Sequence, residues 1–257
     1  MKKIIAFDID DTLVASKSPV TEETARLLAR LLEKYEIAII SGGLFEVFRE
    51  NVLDRLDISD QLRAKIHVLP TCGTRYDRYD ADKQEYVTLY RHSLTDEQKS
   101  AIREAFETGA KKIGIWEEHP YGEIIEDRDS QLTYSALGQD IAKQLGEEGL
   151  KRKYAWDPDM KKRNQLRELI APRLEGLEVR VGGLTSIDVT RVGGDKAYGI
   201  QRLLEATGYA KEDILYIGDM LQEGGNDFPV KEMGIDCVEV RNFTDTPYVI
   251  AGIIGVS

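Results

Sequence analysis

Ile4-Ile5-Ala6-Phe7-Asp8-Ile9-Asp10-Asp11-Thr12 joins a four-residue apolar run to three aspartates in four positions. The run has the length of a buried strand. Three carboxylates this close repel one another and cost stability unless a cation or a proton offsets them. Asp-x-Asp-x-Thr is a weak pattern alone, and an ordinary solvated turn also favours aspartate. Its position directly after a strand gives it weight.

The same construction recurs along the chain. Residues 37–40 form an apolar run that ends in Ser41-Gly42-Gly43, and residues 214–217 lead into Gly218-Asp219. Between the first two, Thr21 is placed to cap a helix reaching Tyr35, with Glu22 and Glu23 at its positive end and Ala25, Leu28, Leu31 and Leu32 at helical spacing. Phe45, Phe48, Val52 and Leu56 predict another helix, and residues 66–69 a third strand. Short apolar runs alternating with helices imply βαβ units around a parallel sheet. In such sheets ligands bind beyond the carboxyl ends of the strands, so Asp8, Ser41 and Asp219 are expected to converge.

From about residue 80 to 185 the composition becomes more polar. Thr95-Asp96-Glu97-Gln98 has the form of a capping box, and its helix is expected to turn Ala101, Ile102, Ala105 and Phe106 inward. Residues 112–116, 122–126 and 177–181 read as strands, and Asp157-Pro158 as a helix start. Afterwards the style of the first third returns: a helix over 195–206 stopped by Gly208, and strands over 214–217 and 237–240. The expectation is an α/β protein with a doubly wound parallel-sheet core, residues 1–80 and 188–257, and an inserted α/β domain, residues 81–187.

The chain has 257 residues, 42% of them hydrophobic, with 35 Lys plus Arg against 46 Asp plus Glu, a net charge of −11. That balance repels phosphate backbones and speaks against nucleic-acid binding by general electrostatics. The longest apolar stretch, around 248–256, is about half of the ~20 residues a membrane span needs, so no membrane association is expected. The apolar run before Asp8 is too short for a secretory signal. Cys72 and Cys237 stand far apart and the three histidines never approach zinc spacing, which fits a cytoplasmic protein with free thiols.

Lys196 falls in the first turn of its helix, where the macrodipole disfavours positive charge by several tenths of a kcal/mol, a penalty that a nearby anion reverses. Gly218-Asp219-Met220 and Gly224-Gly225-Asn226-Asp227 supply further carboxylates. Hard oxygen ligands of this kind suit Mg2+, which also favours phosphate oxygens.

The ordered set Asp8-x-Asp10-x-Thr12, Ser41, Lys196 and Gly218-Asp219 with Asn226-Asp227 resembles the haloacid dehalogenase superfamily of aspartate-dependent phosphotransferases. The insert between Ser41 and Lys196 is similar to the C2 type of cap. Ile125-Glu126-Asp127-Arg128, Gly182-Gly183-Leu184-Thr185-Ser186-Ile187-Asp188-Val189 and residues 218–227 resemble eukaryotic-type phosphomannomutases. The resemblance implies Asp8 as nucleophile, Asp10 as general acid and base, and Ser41 and Lys196 as holders of the phosphoryl group. It implies Mg2+ bound by Asp8, the main-chain carbonyl of Asp10, Asp219 and Asp227, with Asn226 orienting Asp227. Substrate contacts fall by resemblance to Thr12, Lys17, Gly42 and Gly43, and in the cap to Arg128 on a distal phosphate and Ser186 and Asp188 on sugar hydroxyls. A small sugar phosphate is the implied substrate, and a homodimer through the cap the implied assembly.

The chain departs from the mutase pattern in informative places. Gln139 stands where a second cap arginine is expected, a third falls in the weakly matched stretch 146–150, and the arginine expected after the first motif is Lys17. Asp11 takes a place where glycine is common among C2-capped relatives. Lys151 and Arg152 are candidate replacements for the missing arginines. Weaker distal phosphate binding favours release and hydrolysis over mutase turnover, so hydrolysis of a phosphomonoester is the first expectation and hexose-phosphate isomerisation through a bisphosphate the second. A non-catalytic cation-binding module, the rival of a different class, leaves Ser41 and Lys196 without a role.

Overall fold

The computed structural model describes residues 2–15 and 18–256. In chain order its strands are β1 (Ile4–Asp8), β2 (Glu36–Ile40), β3 (Ile66–Leu69), β4 (Arg75–Asp80), β5 (Glu85–Arg91), β6 (Ile125–Asp127), β7 (Gln131–Ser135), β8 (Leu177–Val181), β9 (Ser186–Arg191), β10 (Ile214–Gly218) and β11 (Asp236–Glu239). The chain divides into two compact units, Met1–Arg91 with Gly194–Ser257, and His92–Gly193.

The first unit is a seven-stranded sheet of order β11-β10-β1-β2-β3-β4-β5. Its first five strands are parallel, and β4 and β5 are antiparallel additions at one edge. Every residue of β1 is buried, as a parallel strand covered on both faces requires. Ile5 and Phe7 join Leu28 and Leu31 of the helix Glu22–Leu32 and Ile250 of the helix Thr246–Val256. Ile4 and Ala6 point the other way, to Ile200 and Leu203 of the helix Lys196–Thr207. A sheet with helices on both faces is the doubly wound architecture expected.

Local endings differ from expectation for physical reasons. The helix capped by Thr21 stops at Leu32, although Tyr35 is still buried against the same cluster. The next helix runs only over Phe45–Asn51, because Val52 leaves helical geometry at φ −128° before a short 3-10 turn, Leu53–Arg55.

The expected boundary between residues 80 and 81 is corrected by the hairpin it would cut: β4 and β5 pair from Arg75 to Arg91, so β5 belongs to the first unit. The boundary at 187 and 188 would cut β9, whose Ile187 and Val189 both lie in the core of the second unit.

That unit is an antiparallel sheet of order β6-β7-β9-β8. The helices Asp96–Lys112 and Lys161–Ile170 place Ile102, Phe106, Leu166 and Ile170 against Leu132, Tyr134, Ile187 and Val189. The capping box on Thr95 and Gln98 forms, but Ala101 faces solvent. Residues 112–116 are not a strand. The helix continues through Lys112, and Trp116 packs as an aromatic stacked on Tyr134, with ring centroids 6.2 Å apart, rather than in a strand. Of the strand expected over 122–126 only its end forms, as β6 (Ile125–Asp127), with residues 122–124 outside it, and the helix expected at Asp157 begins at Lys161, with the Asp157 carboxylate accepting from the Lys162 and Arg163 N–H groups. Among the described residues no helix is long and apolar enough to cross a membrane.

Candidate active site

Strand register brings the carboxyl ends of the central strands level. Asp8 is the partner of Ile40, the residue before Ser41, and Phe7 is the partner of Ile217, the residue before Gly218. Asp8, Ser41 and Asp219 therefore leave the sheet at one end, as the three apolar runs implied.

Asp8 is 2% exposed and Lys196 2%. The Lys196 Nζ lies 2.7 Å from Asp8 Oδ1 and 2.7 Å from Asp227 Oδ1. Asp227 is fully buried and also accepts hydrogen bonds from the Tyr216 hydroxyl and, on Oδ2, from the Met220 N–H at 3.1 Å. Gly218 makes this arrangement possible, since a Cβ there would come within 2.5 Å of Asp227 Oδ2. The described donors to Asp227 are thus Lys196, Tyr216 and Met220. Asn226, expected to orient it, is exposed instead. In the sequence Tyr216 sits between Leu215 and Ile217 in an apolar run and reads as core.

Lys196 is set in place by backbone contact one turn further along its helix. A Cβ on Gly199 would lie 2.7 Å from the Cys72 carbonyl, and one on Gly73 2.2 Å from the Gly199 Cα. The helix therefore lies flush on the loop after β3. That loop in turn holds the one after β2, through Cys72 N–H to the Ser41 carbonyl at 2.9 Å and Thr71 N–H to the Gly43 carbonyl at 3.0 Å. Ser41 is buried, and its Oγ accepts from the Gly43 N–H at 3.2 Å. Gly42 lies between them in the same turn.

The loop after β1 closes on itself, with the Ile9 carbonyl accepting from the N–H groups of Thr12, Leu13 and Val14. Asp11 takes φ +56°, a left-handed conformation that glycine adopts freely and aspartate tolerates. Thr12 donates to Asp219 Oδ1 at 3.3 Å, and its carbonyl accepts from the buried Thr246 hydroxyl. Asp10 is half-buried in this loop. Lys17 lies outside the described residues.

Burial pushes the Asp8 carboxyl up to about 7 against the attraction of Lys196, with the charges of Asp227 and Asp10 adding to the rise. Asp219 is raised for the same reasons, burial first and Asp227 second. Burial opposes the Lys196 ammonium, but the two carboxylates it touches outweigh that and raise its pKa. One ammonium thus faces a surplus of negative charge. Carboxylate oxygens of Asp8, Asp219 and Asp227 all lie within 4.8 Å of one another. A compact set of hard oxygens with uncompensated charge fits a divalent cation such as Mg2+.

The cap residues named from the sequence lie in the second unit. Glu126, Thr133, Ser186 and Asp188 occupy one face of its sheet, opposite the apolar core. Arg128 is bound to Glu126 at 2.6 Å, and Asp188 accepts from the Thr133 hydroxyl at 2.7 Å. Burial raises the Asp188 carboxyl, with Arg128 opposing. Gln139, in the place of an expected arginine, donates to the Thr133 carbonyl, while Arg152 pairs with Glu148 on the surface.

Residues 5–229 match the family of haloacid dehalogenase-like hydrolases. Among curated proteins, phosphomannomutase 2 of Dictyostelium discoideum is 24% identical over 238 residues, covering 88% of this chain and 86% of that protein. The phosphomannomutase of Encephalitozoon cuniculi is 26% identical over 258 residues, covering 95% and 91%. Among solved structures, IMP-bound, N-terminally truncated Plasmodium falciparum IMP-nucleotidase superposes with a TM-score of 0.69 at 17% identity, over 99% of this chain and 68% of that one. A haloacid dehalogenase-like hydrolase from Bacteroides thetaiotaomicron does so with a TM-score of 0.64 at 17% identity, over 98% and 100%.

Proposed function

The chain belongs to the haloacid dehalogenase-like hydrolase family, and on that premise we propose that it hydrolyses a small phosphomonoester, a sugar phosphate or close analogue, through a phosphorylated Asp8. The observation that carries this reading is the Lys196 ammonium held at 2.7 Å from both Asp8 and Asp227 in a buried site at the end of the parallel strands.

Asp8 attacks phosphorus through the carboxylate oxygen not engaged with Lys196, and the bond to the alcohol oxygen breaks. Asp10, two residues on in the same loop, gives that oxygen its proton, a contribution of typically about 10²–10⁴-fold. It then takes a proton from the water that attacks the aspartyl phosphate, releasing inorganic phosphate and restoring Asp8. Ser41, whose Oγ already accepts from Gly43, has its O–H to offer a phosphoryl oxygen. Lys196 offsets charge on Asp8 and on the incoming phosphoryl group. Bound at Asp8, Asp219 and the Asp10 carbonyl, with Asp227 beside them, Mg2+ would neutralise the phosphoryl oxygens. Thr12, Lys17, Gly42 and Gly43 are assigned to the phosphate side of the substrate, and Arg128, Ser186 and Asp188 of the inserted unit to its remainder.

A second reading, hexose-phosphate isomerisation through a bisphosphate, has specific support in the names of the curated relatives. One experiment separates the two. The protein is incubated with Mg2+ and mannose 1-phosphate, with and without a hexose 1,6-bisphosphate. Inorganic phosphate as the main product supports hydrolysis, whereas bisphosphate-dependent appearance of hexose 6-phosphate supports isomerisation. In either case Asp8→Asn is expected to lower turnover by at least about 10³-fold; activity retained in that variant sinks both.

A further inference from the structure

Thr246 opens the C-terminal helix Thr246–Val256 and is fully buried. A buried hydroxyl needs a partner, and this one donates to the Thr12 carbonyl, 234 positions away in sequence, at 2.5 Å. Thr12 is fully buried as well and sends its own hydroxyl to Asp219 Oδ1 at 3.3 Å. The two bonds form a chain from the helix to a carboxylate of the candidate cation site. The same helix backs the loop with apolar side chains, since Ile250 lies in one core with Ile9, Leu13 and Val14.

The two carboxylates beside Asp8 are held very differently. Asp227 is fully buried and accepts from Lys196, the Tyr216 hydroxyl and the Met220 N–H. Asp219 is half-buried, and among the described residues Thr12 is the one side chain that donates to it. At 3.3 Å that bond is long for a hydroxyl donor, so a small shift of Thr12 breaks it. The loop fixes its own start, through the N–H groups of Thr12, Leu13 and Val14 on the Ile9 carbonyl. The Thr12 carbonyl is instead fixed from outside the loop, by Thr246. Without that donor it becomes a buried acceptor left unpaired, a state that favours displacement of the loop.

Resting on the proposed assignment of Asp219 to the cation, we infer that Thr246 is a positioning residue for the metal site: its hydroxyl holds Thr12 in place, and Thr12 in turn holds Asp219. Thr246 acts through Thr12 and takes no part in the chemistry.

The test is Mg2+ affinity, read without substrate from the Mg2+ dependence of the melting temperature. Thr246→Val keeps the side-chain shape and removes the donor, and is expected to bind Mg2+ about tenfold more weakly. Thr246→Ser keeps the donor and loses the methyl group, so it should melt lower yet bind Mg2+ as the natural protein does. In a Thr12→Val background, itself about tenfold weaker, Thr246→Val should cost no further affinity, because the chain is already broken. Natural affinity in Thr246→Val overturns the inference, as does equal weakening in Thr246→Ser, a full further loss in the Thr12→Val background, or a natural protein that does not respond to Mg2+. Should Thr246→Val fail to fold, the comparison of Thr246→Ser with Thr12→Val decides: the first must bind as the natural protein does and the second more weakly. Phosphate release by the natural protein is measured separately. If it is absent the hydrolytic reading fails, while the order of Mg2+ affinities still decides the inference.

Discussion

The Lys196 ammonium bridges Asp8 and Asp227, 2.7 Å from an oxygen of each, with all three side chains no more than 4% exposed. Their contributions are therefore inseparable. Removing the lysine leaves two buried carboxylates facing each other, and breaking a buried pair from one side costs about 3–5 kcal/mol. Lys196→Ala is expected to lose stability on this scale in urea denaturation, together with turnover. Asp8→Asn removes one of the two charges, so the lysine change should cost about 1 kcal/mol less or better in that background. Strict additivity of the two changes would show that the bridge is not an energetic unit.

The contact between Gly73 and Gly199 carries this geometry back to the backbone. A methyl at Gly199 would meet the Cys72 carbonyl at 2.7 Å and Ile40 Cδ1 at 2.5 Å, so the helix that bears Lys196 must shift to admit it. Gly199→Ala is expected to cost about 1–3 kcal/mol and to lower kcat by more than the loss of folded protein explains. Gly208→Ala is the matched comparison. It strains the helix cap at φ +70° with nothing close to the new Cβ, and should cost about 1 kcal/mol with kcat unchanged. Equal effects on kcat would separate the glycine contact from lysine placement.

What could be read from the amino acids alone follows from the range of the forces involved. The strands ending at Asp8, Ile40 and Gly218 were legible because burial on both faces demands an unbroken apolar run, and Lys196 because a cation in a first helical turn is a local conflict. The tyrosine at 216 was hidden, since nothing nearby in sequence says that its hydroxyl meets a carboxylate eleven residues later. Trp116 suggested a strand because an aromatic beside isoleucine has strand character, whereas its partner, Tyr134, lies across the unit. The domain boundary at 80 failed because β5 pairs with β4 while exposing much of its surface, so its composition looks unlike a core strand.

Away from the site, His67 predicts a pH dependence. It is fully buried, with Nε2 2.5 Å from Glu36 Oε2 and Nδ1 2.6 Å from the Tyr76 hydroxyl. Burial lowers its pKa below the ordinary 6.5 despite the attraction of Glu36. Glu36 is itself lowered from 4.5, first by the hydrogen bond from His67. Below pH 6.5 the unfolded chain takes up a proton that the folded imidazole refuses, so stability falls as pH falls. Glu36 acts in the same direction below 4.5, its stabilisation being lost as pH drops through its folded pKa. The melting temperature should fall more steeply between pH 7.5 and 5 in the natural protein than in His67→Gln. Parallel slopes would remove His67 from the account.

The Tyr216 hydroxyl and Lys196 share a single oxygen of Asp227, while the other oxygen accepts from the Met220 N–H. Asp227 is therefore held by the protein from both sides, and its carboxylate stands beside Asp8 and Asp219 in a fixed orientation. Tyr216→Phe removes one of these restraints without changing the packing. A buried hydrogen bond of this kind is worth about 1–3 kcal/mol when one partner is deleted, and partners of metal-site carboxylates change metal affinity by about 10–100-fold. The variant should need about tenfold more Mg2+ for half-maximal phosphate release, and Mg2+ should raise its melting temperature less than it raises that of the natural protein. Chelation of Mg2+ should abolish release in both. A Tyr216→Phe protein that is less stable yet has an unchanged Mg2+ requirement and an unchanged Mg2+ shift in melting temperature would assign the hydroxyl to folding alone, and would leave Lys196 as the group that orients Asp227.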